Sequence, residues 1–278
     1  MRKYINIACG TVFIDTENWV NVDFLPAGKC VRRTNLLQKL PFSENSFDMV
    51  YSSHFIEHIP LYLVPNFIRQ CYRILRPGGI IRLVTPDLEN ICREYIRNYN
   101  LADPIKLNIS VMELLDQCVR RNSGGALGKT FSEVRLSGKE ETRNYLSNRF
   151  GNEVFTENSF SLSETVGLRN SKYFLQRVVG RLQREFTKIW IKALPRAFKE
   201  QNVALTPVGE CHQWLWDFIQ LRAVLENAGF LCVSRRTHAT SGISKFPFDA
   251  LDCDPKDGSA RKGSQSMFVE ATKGSQNL

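Results

Sequence analysis

The sequence predicts an α/β fold, doubly wound and mostly parallel, with seven strands in one sheet and a long helical insertion. Three observations predict it. Over the first ninety residues, short buried-strand runs alternate with helix-period stretches, the order that crossover connections impose on a parallel sheet. From 88 to 210 helical periodicity dominates and strand alternation disappears. After an amphipathic stretch near 215–228, strand-like runs resume. The 278 residues, 43% of them apolar, suffice for one large core with an insertion, and 23% charge with 17 Gly and 11 Pro excludes collagen and low-complexity chains.

The elements follow in order. Tyr4 to Ala8 is a first buried strand, Trp19 to Asp23 a second, Cys30 to Leu36 a weaker one, Phe47 to Ser52 the next, and Ile80 to Thr85 another. Leu63, Phe67, Ile68, Cys71, Tyr72 and Leu75 recur at helical spacing, and Arg76-Pro77-Gly78-Gly79 is read as the turn that ends this helix. Leu215 to Ala228 reads as a helix closed by Gly229, with Phe230 to Ser234 and Ser266 to Ala271 as the last strands. The expected division is therefore 1–87 and 211–278 for one split α/β domain, and 88–210 for an insertion covering the substrate side.

The chain is basic, with 37 Lys and Arg against 28 Asp and Glu, but six of the nine net charges fall in 91–210. Between 169 and 199 there are nine basic residues and the single acid Glu185. Apolar positions from Leu175 to Phe198 recur at helical spacing there, which predicts an amphipathic basic helix kinked at Pro195. Its readings are a solvated face, a lid over an anionic acceptor, or peripheral contact with an anionic membrane. Nucleic acid is not expected as a partner, because the aromatics lie on the apolar face and the rest of the chain is nearly neutral. Eight dispersed cysteines without a CxxC pair argue against a disulfide framework and a zinc ribbon, and with no signal-peptide core the expected compartment is the cytoplasm.

The most informative local feature is a strand entering Ala8-Cys9-Gly10-Thr11, followed by a second strand ending in Asp23. Small residues at a strand-to-loop junction let a ligand approach the backbone, and an acid ending the next strand can bind a ribose diol. Thirteen residues from Gly10 to Asp23 are too few for a dinucleotide fold, and Val12 stands where a pyrophosphate needs glycine. A nucleoside ligand without a diphosphate fits better.

Taken in series, Ile5-Asn6-Ile7-Ala8-Cys9-Gly10-Thr11, Val20-Asn21-Val22-Asp23, Leu40-Pro41-Phe42, Ser46-Phe47-Asp48, Glu57-His58 and Leu75-Arg76-Pro77-Gly78-Gly79 resemble the class I S-adenosylmethionine-dependent methyltransferases, in the branch called methyltransferase domain, type 11-like. The resemblance covers 4–90 and 211–272. It implies a Rossmann-like sheet, S-adenosylmethionine as cofactor, and methyl transfer to a hydroxyl or amine of a small-molecule or glycan acceptor. It also implies that Ala8, Cys9 and Gly10 approach the methionine part, Asp23 holds the ribose hydroxyls, Asn35 and Leu36 flank the adenine, and Ser52 and His54 face the reactive methyl. Asn6 stands where the family has an acid, Ala8 and Val12 replace motif glycines, and Asn35 replaces an aspartate, although asparagine keeps an acceptor oxygen. A non-catalytic α/β binding or scaffold protein that retains the fold is the alternative.

His54 and His212 are the candidate general bases, with His58 a lesser one. His54-Phe55-Ile56-Glu57-His58 also matches the H-x-x-E-H pattern of zinc peptidases. That pattern needs a long helix, whereas this string follows a strand and stops at Pro60, so no metal site is expected. Ser123 to Thr130 resembles a phosphate loop without its first glycine or preceding strand, and reads as a flexible turn.

Overall fold

The computed structural model describes residues 2–155, 186–187, 189–204, 206 and 209–274. Its strands are β1 (Tyr4–Ile7), β2 (Trp19–Asp23), β3 (Val31–Arg33), β4 (Phe47–Ser53), β5 (Leu75–Pro86), β6 (Phe230–Arg236) and β7 (Ser266–Lys273). They form one sheet in the order β3-β2-β1-β4-β5-β7-β6. β1 to β5 pair in parallel, and β7 runs antiparallel between β5 and β6. Ile5, Ile7, Val22, Val50, Ile81 and Val269 are fully buried, as strands covered on both faces require. β3 is shorter than the sequence suggests because only Val31 is buried, while Arg32 and Arg33 are exposed.

On one face of the sheet α1 (Val64–Ile74) buries Val64, Phe67, Ile68, Cys71 and Ile74, one stripe at helical spacing, in the main core. The helix Phe218–Asn227 packs into the same core through Leu221 and Leu225. It starts three residues later than expected, because Asp217 takes an extended conformation and accepts a hydrogen bond from the Gln220 N–H. Arg76-Pro77-Gly78-Gly79 is not a separate turn. Phe47 lies opposite Leu75 and Met49 opposite Ile80, so these four residues bulge out of β5. The bulge needs glycine at position 78, where φ is +77°.

Between β5 and the last two strands lie α2 (Leu88–Asn100), α3 (Pro104–Val119), α4 (Gly125–Ser137) and α5 (Glu140–Phe150). Asp87 and Asp103 cap α2 and α3 through main-chain amides. Ile109, Leu127, Phe131, Val134, Leu146 and Phe150 make a core of their own. The stretch read as a flexible turn, Ser123 to Thr130, instead starts α4. Its amides are already engaged by carboxylates, Gly124 N–H with Glu210 and Ala126 N–H with Asp116, which leaves no anion cradle there. Most of the predicted basic helix lies outside the described residues. Within them, Pro195 does mark a break, ahead of a helix Arg196–Asn202.

The opposite face of the sheet carries a polar centre inside an apolar shell. Arg82, 0% exposed on β5, lies beside Tyr51 of β4 and Glu270 of β7. Its guanidinium donates to Asp252 (2.7 Å), Glu270 (2.8 Å) and the carbonyls of Thr237 (2.8 Å) and Thr240 (3.1 Å), and lies 4.6 Å from the centre of the Phe246 ring. The Tyr51 hydroxyl donates to Asp252 (2.7 Å). Removing one member of a buried ion pair costs far more than an exposed pair is worth, because the remaining charge is left unsolvated. Arg82→Met is therefore expected to lower the unfolding free energy by about 3–5 kcal/mol in urea titrations. A loss below about 1 kcal/mol would contradict the buried network.

Candidate active site

The carboxyl ends of β1, β2, β4 and β5 open on one edge of the sheet, the place where open α/β sheets bind ligands. After β1 the chain turns through two left-handed residues, Ala8 (φ +56°) and Gly10 (φ +52°). Gly10 adopts this freely, whereas alanine takes on about 1 kcal/mol of strain. The turn is held from two sides: buried Asn6 donates its amide to the Val12 carbonyl (2.9 Å), and Asp23 accepts from the Gly10 N–H (2.9 Å). A Cβ added at Gly10 would meet nothing within 4 Å, so the loop borders open space. The other Asp23 oxygen accepts from the Leu25 N–H (2.8 Å). Burial pushes the Cys9 thiol up to about 12, with Asp23 adding to the shift.

Asn35 is exposed and accepts the Leu37 N–H (3.1 Å), whereas Leu36 is packed into the main core. Ser52, beside Ile7 in the sheet register, has a buried hydroxyl with no hydrogen-bond partner among the described residues. His54 leaves β4 in a left-handed conformation (φ +50°), with its N–H bonded to the Val84 carbonyl (2.8 Å) and its side chain 19% exposed. Its Nε2 lies 3.0 Å from the Ser266 hydroxyl, which itself donates to the Lys262 carbonyl. Ser266 is then free to accept from Nε2–H, which leaves Nδ1 as the bare nitrogen facing Glu57 at 3.3 Å.

Glu57 and His58 lie in a 3-10 turn, Ile56–His58. Glu57 is completely buried, takes a hydrogen bond from Thr85 (3.1 Å), and is pushed up to about 8 by burial. Its carbonyl accepts the N–H groups of Gln213 (2.6 Å) and Trp214 (3.2 Å), and the His212 N–H donates to the Gln117 carbonyl (2.9 Å). Those main-chain bonds bring His212 against His58, with ring centres 4.8 Å apart. Burial lowers all three imidazoles: His54 well below its usual range, His58 less so, and His212 to about 3. All three are thus neutral at physiological pH. The structure gathers His54, His58 and His212 around Glu57, with Ser52, Asp23 and the 8–10 loop at the neighbouring strand ends. Glu57, Thr85 and Ser266 are site residues that the sequence reading did not assign, although Glu57 stood in the His54–His58 string.

Residues 21–83, which run from β2 into β5, match the family model described as methyltransferase domain. That segment of the chain is similar to a methyltransferase domain. The matched segment contains Asp23, Asn35, Ser52 and His54. Over 57 residues the chain is 39% identical to a probable S-adenosylmethionine-dependent methyltransferase of Mycolicibacterium smegmatis, a match covering 20% of this chain and 21% of that protein. The chain thus spans about a fifth of the length of that curated relative. Solved structures similar to it include S-adenosylmethionine-dependent methyltransferases from Archaeoglobus fulgidus (12% identity, 98% of this chain and 86% of that chain, TM-score 0.40) and Thermotoga maritima (12%, 98% and 83%, TM-score 0.36).

The thiol of the 8–10 loop is buried, whereas three other thiols reach the surface. Cys9 and Cys71 are buried; Cys92, Cys118 and Cys232 are exposed, and partial burial raises the Cys118 thiol's pKa. Iodoacetamide at pH 8 is expected to label Cys92 and Cys232 while the folded protein protects Cys9 and Cys71, as read by peptide mass spectrometry. Equal labelling of Cys9 would show that the loop does not hold the closed packing described.

Proposed function

We propose that this chain is an S-adenosylmethionine-dependent methyltransferase acting on a hydroxyl or amine of a small-molecule or glycan acceptor. The observation that carries the reading is that the methyltransferase-domain segment lies on the strand edge where Asp23, the 8–10 loop and the Ser52–His54 strand end converge. The residues there suit a nucleoside sulfonium: an accessible carboxylate, open space over the loop at Gly10, and a buried Ser52 hydroxyl lacking a partner. When bound, the cofactor supplies a methyl group on a good leaving group, so the protein's task is alignment.

Asp23 would accept the ribose hydroxyls through its remaining lone pairs, and the Ala8–Gly10 turn would receive the amino-acid end. His54 and His212 would stand on the acceptor side as candidate bases. Their lowered basicity makes them weak bases, which suits an acceptor that is already nucleophilic, such as a neutral amine, better than an alcohol. For the basic segment 169–199, exposed Phe186, Ile189, Trp190 and Phe198 alongside Lys192 and Arg196 support a surface or acceptor-covering role.

Calorimetric titration with S-adenosylmethionine tests the cofactor assignment. Asp23→Ala should weaken binding by about 5- to 150-fold, equivalent to about 1–3 kcal/mol for a lost charge-assisted hydrogen bond. Unchanged affinity would mean that another acid holds the ribose. Binding without methyl transfer to any of a broad acceptor panel would favour the scaffold alternative.

A further inference from the structure

The cluster Glu57, His58 and His212 has more chemistry than alignment of a methyl group requires. Three residues, two of them adjacent in sequence and one from a distant segment, each present one ligand atom within 4.8 Å of the others. Glu57 is 0% and His212 4% exposed. Glu57 has no Lys or Arg salt bridge among the described residues, and its Oε1 faces only the His54 ring nitrogen, without hydrogen-bond alignment. His212 Nδ1 is buried with no hydrogen-bond partner among the described residues. Buried polar groups are normally satisfied, so two deficits in one cluster call for a ligand.

The surroundings favour a cation. His58 Nδ1–H donates to the Cys211 carbonyl (3.0 Å), which fixes the tautomer and leaves the Nε2 lone pair free. A ring nitrogen bonded to a carbonyl behind a free one is the support that metal-ligating histidines use. Thr85 orients the Glu57 carboxyl in the same way (3.1 Å). Arg120, the cation near His58 and His212, is already paired with Asp116 (2.8 Å) and Glu210 (3.2 Å). The frame is built from main-chain bonds: Glu57 carbonyl to Gln213 and Trp214, and His212 N–H to Gln117.

The geometry points to a divalent transition-metal site formed by Glu57, His58 and His212, with at least one coordination position left open. A tetrahedral ion with bonds of about 2.1 Å needs ligand atoms about 3.4 Å apart, so the three side chains must close by roughly an ångström. Two imidazoles and one carboxylate suit zinc or iron(II) better than magnesium or calcium, which prefer all-oxygen shells. The zinc-peptidase reading of His54 to His58 fails because it puts both histidines of the string on one helix. Here His54 bonds Ser266 instead, and His212 takes the second imidazole place. If His212 is a ligand, His54 is the base candidate that remains for methyl transfer.

The test uses the full-length protein stripped with chelator and titrated with Zn2+ alone by calorimetry, without S-adenosylmethionine. One ion per chain is expected, with affinity reduced at least tenfold in Glu57→Gln and in His212→Gln. His238→Gln, which alters a histidine outside the cluster, should bind as the wild type does. Absence of stoichiometric binding, or binding unchanged in both cluster variants, overturns the site. Should either variant fail to fold by circular dichroism, Co2+ titration of the wild-type protein decides. A visible d–d spectrum of low-coordinate cobalt with nitrogen ligands is expected, and an aquo-ion spectrum overturns the site. Zinc binding without cofactor binding would sink the methyltransferase reading alone, and the reverse result would sink the metal site alone.

Discussion

The sheet is organised around one buried guanidinium. Arg82 sits in the middle of β5 with no access to solvent, so its charge must be answered from within the protein. Asp252 and Glu270 answer it, and Tyr51 completes the ring by donating to Asp252. Because Tyr51, Arg82 and Glu270 are side by side on β4, β5 and β7, one ion network clamps three strands and draws 237–252 over the sheet face. At the edge that bears the site, β4 runs through Ser52 to His54, β5 carries Thr85, and β7 starts at Ser266. The positions of the site groups are thus fixed from a network on the strands that carry them.

At the strand ends the packing is deliberately incomplete. Ala8 and His54 adopt left-handed backbone that non-glycine residues avoid, and both occur where a strand gives way to the open edge. Ser52, Glu57 and His212 keep buried polar atoms in the same region that have no hydrogen-bond partner among the described residues. Similar deficits occur elsewhere among the described residues, at Asn21 in β2 and at Asn98 and Trp216. Some of the backbone strain and unmet hydrogen-bonding capacity among the described residues thus falls where binding and chemistry are proposed. The end of α5 packs closely on the segment before β7: a Cβ at Gly151 would collide with the Arg261 carbonyl, and one at Gly263 with the Arg149 carbonyl.

Much of the fold was legible in the sequence because strands buried on both faces leave continuous apolar runs, as Tyr4–Ile7 and Phe47–Ser53 do. The loop at 8–10 and Asp23 were legible because small residues and a terminal acid mark a strand edge. Element boundaries were less so. Arg76 to Gly79 looks like a turn, and only the pairing of Phe47 with Leu75 shows it to be a bulge. The glycines at 124 and 125 suggest a flexible turn, but Glu210 and Asp116 recruit the adjacent amides into a helix start. The meeting of Glu57 with His212 was illegible, since main-chain bonds across more than 150 residues create it, and no periodicity encodes such a contact. Arg82 reads in sequence as an ordinary strand charge, its partners coming from segments far along the chain.

The measurement that bears most directly on the carboxyl-edge assignment is a crystal structure with S-adenosylhomocysteine. The ribose hydroxyls should lie within about 2.6–3.2 Å of the Asp23 carboxylate, with the thioether directed toward Ser52 and His54 and the amino-acid end over Ala8–Gly10. Ligand density on another face, or a ribose bound without Asp23, would contradict the assignment.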